Sequence, residues 1–132
     1  MNENRAKRNK LLGERVIQGL QSRNMEGFYA ETKEEALEIA LSLIPEESTV
    51  AWGGSVSIAI CEGNYREYDR DLAKDREEKR KIEMATYDCD YFLTSANAIT
   101  EDGVMVNIDG FANRVSAIAA GPRNVIMIVG MN

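Results

Sequence analysis

Short strand-like runs alternate with helical patterns along the 132 residues of this chain, and that alternation restricts the fold more than any other feature. The runs are Thr49-Val50-Ala51-Trp52, Tyr65 to Tyr68, Tyr91-Phe92-Leu93-Thr94 and Val125 to Val129. They carry the β-branched and aromatic residues that suit a pleated, packed surface. Phe28-Tyr29-Ala30 is a fifth, shorter candidate. The last run is continuously apolar, the pattern of a strand covered on both faces. Strands that alternate with helices are the signature of an α/β domain with a mostly parallel sheet.

The helical patterns are readable in detail. Over residues 4–22, Leu12, Val16 and Leu20 recur every four residues, with Leu11 and Ile17 beside them, and form one apolar stripe. Asn24 to Gly27 breaks it. Thr32-Lys33-Glu34-Glu35 fits a capping box, in which Thr and Glu each satisfy an orphan amide of the first turn. Ala36, Leu37, Ala40, Leu41 and Ile44 then share a face, and Pro45 ends the helix. Val56 to Ile60 opens a short helix. Residues 71–86 form a heavily charged one, with Asp75–Lys79 and Glu77–Lys81 spaced for i,i+4 pairs. Residues 111–120 form a helix of small residues that Gly121-Pro122 terminates.

A β-hairpin is expected near residues 97–109. Glu101-Asp102-Gly103 is its turn, since Asp-Gly supplies positive φ. Beyond the turn, Val104, Val106 and Ile108 share one face, and Met105, Asn107 and Asp109 share the other. The fold class is therefore α/β: a mostly parallel, Rossmann-like sheet flanked by helices, with one hairpin. No repeat or linker divides the chain, so residues 1–132 read as a single domain whose N-terminal helix spans about 4–22.

Composition removes several kinds of chemistry. The chain has no histidine, so Ser-His-Asp triads, Cys-His pairs and histidine-ligated metals cannot be built within it. Its two cysteines, Cys61 and Cys89, are far apart and read as free thiols in a reducing cytosol. They are too few for an iron–sulfur cluster or a closed zinc site, and no cofactor or metal is expected. The formal net charge of −6 argues against nucleic acid as a partner. No apolar run reaches the roughly 18 residues of a membrane span. Arg5, Lys7, Arg8 and Lys10 are not followed by a signal-peptide core, so the chain is expected in the cytoplasm. That basic stretch reads as a solvated helix face, with contact to an acidic partner as the second reading.

In open parallel sheets, ligands bind beyond the carboxyl ends of strands. Three polar segments stand there. Gly53-Gly54-Ser55 follows the first strand, and its glycines allow close backbone approach to an anion or make a simple turn. Asn97 follows the buried strand at Tyr91–Thr94 and suits either a ligand or a turn cap. The richest segment is Asn107-Ile108-Asp109-Gly110-Phe111-Ala112-Asn113-Arg114. In it Gly110 permits a sharp entry into a helix. Asn113 and Arg114 fall in the first helical turn, and Arg114 can clamp a carboxylate or phosphate. The alternative assignment makes Asp109 a helix cap paired with Arg114. As general bases, Glu101 and Asp102 are solvated at a hairpin tip, which leaves Asp109 as the candidate catalytic residue.

Together these segments resemble the lactate-utilisation (LUD) domain family. The stretches that carry the likeness are Ala51-Trp52-Gly53-Gly54-Ser55-Val56, Thr94 to Thr100 with Glu101-Asp102-Gly103, Asn107 to Val115, Gly121-Pro122 and Val125 to Asn132. Lys33-Glu34-Glu35-Ala36 fits the family's early helix. The resemblance implies a fold similar to ribose-5-phosphate isomerases, glucosamine-phosphate deaminases and CoA transferases. It also implies a link, in some members, to lactate oxidation within a multi-protein complex whose iron–sulfur clusters sit on other subunits. Compared with the family, Ser57 to Asn64 is short, and the chain is C-terminally shortened at Gly130-Met131-Asn132. A pocket wall is then missing or comes from another copy, which favours a homo-oligomer.

Three readings follow. The first is a cytoplasmic LUD-type protein that binds a small anionic metabolite, such as a hydroxy acid, keto acid or sugar phosphate, with other lactate-utilisation subunits as possible partners. The second is an isomerase- or transferase-like enzyme with Asp109 as base. The third is an oligomeric structural or accessory module without catalysis.

Overall fold

The computed structural model describes residues 2–52, 66–67, 74–110 and 113–131. The elements in chain order are α1 (Glu3–Ser22), α2 (Lys33–Leu43), β1 (Thr49–Trp52), β2 (Arg66–Glu67), α3 (Arg76–Thr86), β3 (Tyr91–Thr94), β4 (Ala98–Ile99), β5 (Met105–Val106), α4 (Asn113–Ala119) and β6 (Asn124–Met127). They fall into two compact units. One is drawn from Met1–Ile39, Ala96–Asn107 and Val129–Asn132, the other from Ala40–Ser95 and Ile108–Ile128.

The second unit holds a sheet of order β2-β1-β3-β6, parallel at every pairing. Two-residue periodicity sorts its side chains onto two faces. Val50 and Leu93 turn to one face, where Ile44 packs on them with Trp52, Tyr91, Ile126 and Ile128. Ala51 and Phe92 turn to the other, against Cys89, Ala117, Tyr87, Ile118 and Val125. The apolar run at Val125 packs on both faces, with Val125 on one and Ile126 and Ile128 on the other, but its residues are half-buried and the strand ends at Met127, short of the expected Val129. Each large aliphatic or aromatic side chain buried this way contributes about 1.5–3 kcal/mol.

Polar groups lock the amino ends of the strands. Thr49 and Asp90 exchange bonds: the Thr49 amide donates to Asp90 Oδ2 at 3.0 Å, and the Asp90 amide donates to Thr49 Oγ1 at 2.9 Å. Arg123 donates to the Asp88 carbonyl at 2.7 Å and pairs with the Asp88 and Asp90 carboxylates at 3.3 and 3.7 Å. Helix α3 begins at Arg76, later than the expected residue 71; residues 71–73 lie outside the described ones. Asp75 is its N-cap in extended backbone, and its carboxylate accepts from the Glu78 amide at 2.7 Å instead of pairing with Lys79.

In the first unit, α1 ends in a Schellman motif. Asn24 takes φ 62°, the Met25 amide reaches the Leu20 carbonyl at 3.0 Å, and the Asn24 amide reaches Gln21 at 3.2 Å. The following segment is not the strand expected at Phe28-Tyr29-Ala30. It is irregular chain laid on α1: Gly13 faces the Tyr29 ring, and Gly27 faces Ile17 and Leu20. Its side-chain fit to the helix replaces the ladder a strand would need. The capping box at Thr32 forms, with the Glu35 amide bound to Thr32 Oγ1 at 3.1 Å. The Glu35 carboxylate reaches back to the amide of Glu31, one residue beyond the expected one.

The hairpin is present, with Ala98 opposite Val106 and Ile99 opposite Met105. Its turn bonds Gly103 N to Thr100 O at 3.1 Å and Thr100 N to Val104 O at 2.9 Å. Only Gly103 takes positive φ, at 86°, so the loop is a turn followed by a left-handed glycine and not a two-residue Asp-Gly corner. The alternation beyond it holds, but the polar side is the covered one. Met105, Asn107 and Asp109 are half-buried, whereas Val104, Val106 and Ile108 are 40%, 43% and 73% exposed.

Candidate functional site

The clearest constellation among the described residues lies at the start of α4, in the second unit. Tyr87, just before β3, lies within contact of Gly121, and its hydroxyl meets Ser116 Oγ at 2.6 Å. Those contacts put the end of α4 at the amino end of β3. The helix therefore starts toward the carboxyl-end side, where parallel sheets bind ligands.

Asp109 organises that start. Its Oδ2 accepts the amides of Arg114 at 2.6 Å and Val115 at 2.9 Å. One carboxylate oxygen thus satisfies two orphan donors of the first turn, and its charge suits the helix's positive end. The Arg114 guanidinium folds back through Nη2 onto the Ile108 carbonyl at 3.0 Å. Backbone and side chain of Arg114 are both held by residues 108–109, which restrains the planar guanidinium. Such a plane matches carboxylate and phosphate oxygens. The capping half of the alternative assignment is real, but Arg114 meets Asp109 through its amide.

The other sequence candidates divide. Gly53, Gly54 and Ser55 lie outside the described residues, as do Cys61 and the helix expected at Val56 to Ile60. Asn113 opens α4. Gly110 is exposed, without positive φ and with no described residue within 4 Å of where a side chain would stand, so its backbone does not require glycine. In the first unit, Asn97 is exposed, and its amide closes the hairpin on Val106 O at 3.0 Å. Asn107 is half-buried, and among the described residues its Oδ1 is shielded without a hydrogen-bond donor. A shielded acceptor of that kind is uncommon and costs about 1–3 kcal/mol unless something donates to it.

Glu101 and Asp102 stand exposed at the hairpin tip, as expected. Both are tied to α1, Glu101 by Arg15 at 3.3 Å and Asp102 by Arg23 at 3.6 Å. The Thr100 hydroxyl donates to Asp102 and holds its carboxyl below the usual carboxylate range, with help from its own backbone amide and Arg23. An acid of that kind is a poor proton acceptor near neutrality. Burial pushes the Cys89 thiol up, so it rests protonated.

Sequence reasoning missed the anchors Arg15, Arg23 and Arg123, whose partners are far away along the chain. A shallow hollow of about 400 Å³ in the first unit, lined by Gln21 and Asn24 to Phe28, contains none of the expected site residues. Among the described residues, no three His, Cys, Asp or Glu side chains gather in a way that could hold a metal. None of the described helices is long and apolar enough to cross a membrane.

Comparison with known proteins settles the family. The LUD domain matches residues 13–132. The chain belongs to the LUD domain family. That match takes in the hairpin turn, the Asp109 cap and Arg114, and it relates the chain to lactate utilisation. No curated protein and no solved structure matches it.

Proposed function

We propose that this LUD-domain protein binds a small anionic metabolite, a hydroxy acid, keto acid or sugar phosphate, in the service of lactate utilisation, and that Arg114 is the anion's partner. The observation that carries the reading is the double hold on Arg114. Its amide is fixed by Asp109 and its guanidinium by Ile108, at the start of a helix facing the carboxyl-end side of a parallel sheet. A guanidinium ordered before binding loses less entropy when it grips a carboxylate or phosphate. Gly53, Gly54, Ser55, Asn97, Asn107, Gly110 and Asn113 are individual ligand contacts in this proposal, each to be tested by substitution. The kinship of the fold to sugar-phosphate isomerases and CoA transferases, a cytoplasmic location and association with other lactate-utilisation subunits belong to the same reading.

The test is calorimetric titration and thermal shift with L-lactate, pyruvate, ribose 5-phosphate and a CoA ester, on the wild type and on Arg114→Ala. At least one anion stabilises the wild type, and its affinity falls about tenfold or more in the variant, as expected for loss of a charge-assisted bond worth about 1.5–3 kcal/mol. A flat response to all four, or equal affinity in the variant, overturns the reading. Asp109→Asn tests the enzymatic alternative. Asparagine caps helices as well as aspartate does, so the fold survives. Any turnover that persists in that variant removes Asp109 as the base.

A further inference from the structure

The first turns of α1 lie outside the residues matched to the LUD domain, which begin at 13. Residues 2–8 are exposed on every side of the helix, including positions on the azimuth that carries the buried Asn9 and Gly13. This stretch holds Arg5, Lys7, Arg8 and Lys10 against the single acid Glu3, in a chain of net charge −6. Leu11, one turn beyond Lys7 on the outward face, is 55% exposed. The four basic side chains form no ion pair among the described residues, where the pairs use Arg15, Arg23 and Arg123. Positive charge near a helix N-terminus opposes the backbone dipole, so the arrangement weakens the helix it sits on. A helical end with no buried face also has little to hold it against fraying. Both costs are relieved if an acidic surface covers these turns.

The chain carries such a surface. Glu31, just before α2, and Glu34 and Glu38, in its first half, are exposed, and none of them joins an ion pair among the described residues. Glu34 and Glu38 are one turn apart on α2, as Lys7 and Lys10 are on α1. We infer that the first turns of α1 are an interaction surface for a second copy of this chain, with Lys7, Arg8 and Lys10 of one copy set against Glu31, Glu34 and Glu38 of the other, Leu11 as the apolar contact and Arg5 adding positive charge beside that face. Each copy supplies one basic and one acidic element, so a two-fold arrangement uses both twice.

Sedimentation velocity on the full chain tests this. The wild type self-associates at about 0.05 M salt and does so about tenfold or more weakly at 0.5 M, because exposed charge pairs are screened. R5E/K7E/R8E/K10E is monomeric at low salt, and so is E31K/E34K/E38K. An equimolar mixture of the two associates, since every reversed element then meets its opposite. Circular dichroism confirms that each variant is folded. If the lysine variant is not, E31Q/E34Q/E38Q takes its place and is also monomeric. A wild type that stays monomeric at low salt overturns the inference, even if it binds some other anionic surface. Variants that still self-associate, or a mixture of the two charge-reversed variants that does not associate, overturn it as well.

Discussion

Substitution of Gly19 by alanine sets two physical rules against each other. Gly19 lies inside α1, where alanine is favoured over glycine by about 1 kcal/mol. Helix propensity alone therefore predicts a more stable protein. The hairpin reverses the sign. A Cβ on Gly19 would stand 2.3 Å from both the carbonyl carbon and oxygen of Asp102, and 2.8 Å from the amide nitrogen of Gly103. All three are backbone atoms, so no rotamer change relieves the clash. The hairpin tip would have to lift by about 1 Å to reach ordinary contact, disturbing the bond of Arg23 Nε to the Asp102 carbonyl at 3.3 Å. Overpacking costs about 1–3 kcal/mol, and a rigid backbone neighbour places this case at the upper end. The net loss is about 2 kcal/mol, or about 8 °C in Tm at roughly 4 °C per kcal/mol for a chain of this size. Thermal and urea unfolding followed by circular dichroism measure it, with hydrogen exchange of the α1 amides reporting on the first unit directly. Gly110→Ala is the control: it meets none of the described residues within 4 Å and takes no positive φ, so it is neutral or stabilising by up to about 1 kcal/mol. A Gly19→Ala protein as stable as the wild type would refute the close approach of α1 and the turn.

Three further perturbations have defined outcomes. Cys89 is fully buried with its pKa raised above 9.0, so it resists a thiol reagent until the protein unfolds; stability from its neutral form is full below pH 9.0 and declines as pH rises through the folded pKa. Thr100→Val removes the hydroxyl that donates to Asp102, so the Asp102 carboxyl titrates closer to 3.8 by NMR; in the wild type that bond favours folding above 3.8 and its contribution fades as pH falls through the lowered folded value. Arg123→Ala breaks two ion pairs, yet Arg123 is 58% exposed, so urea unfolding shows a loss of only about 1 kcal/mol or less, mostly from the bond to the Asp88 carbonyl.

What the sequence revealed follows from the range of each interaction. Strands β1 and β3 stand out because Val50, Ala51, Phe92 and Leu93 must each face an apolar layer, and that demand is written in consecutive residues. The starts of α2 and the hairpin turn are equally local, since Thr32 and Gly103 act within four residues of themselves. Phe28 to Ala30 misleads because its composition suits a strand while its partner is the glycine-lined side of α1. The Arg15–Glu101 and Thr49–Asp90 contacts span 86 and 41 residues, and no period or spacing announces them. At the candidate site the cap was legible as one of two assignments for Asp109. That the arginine's own amide would fill it, leaving the guanidinium to Ile108, depended on where Ile108 and Asp109 stand against Arg114 in space.

That placement also separates structure from function within the family-matched motif. Asp102 and Gly103 are needed where they are because the turn rests on Gly19 and is tied to Arg23. Asp109 is needed because two amides converge on its Oδ2. Neither duty demands a carboxylate in full. A cap requires an acceptor oxygen, which asparagine supplies, and the extra attraction of a charge for a helix start is worth about 0.3–1 kcal/mol. Replacing Asp109 with asparagine can therefore take at most about that much from stability. A larger loss in ligand affinity or turnover cannot come from the cap. Arg114 is the converse case. The hydrogen bond from its backbone amide to Asp109 survives any side-chain substitution, so Arg114→Ala keeps the helix cap and removes the guanidinium with its bond to the Ile108 carbonyl. Loss of Arg114's side chain with retention of the fold is the combination that distinguishes an anion site from a well-capped turn.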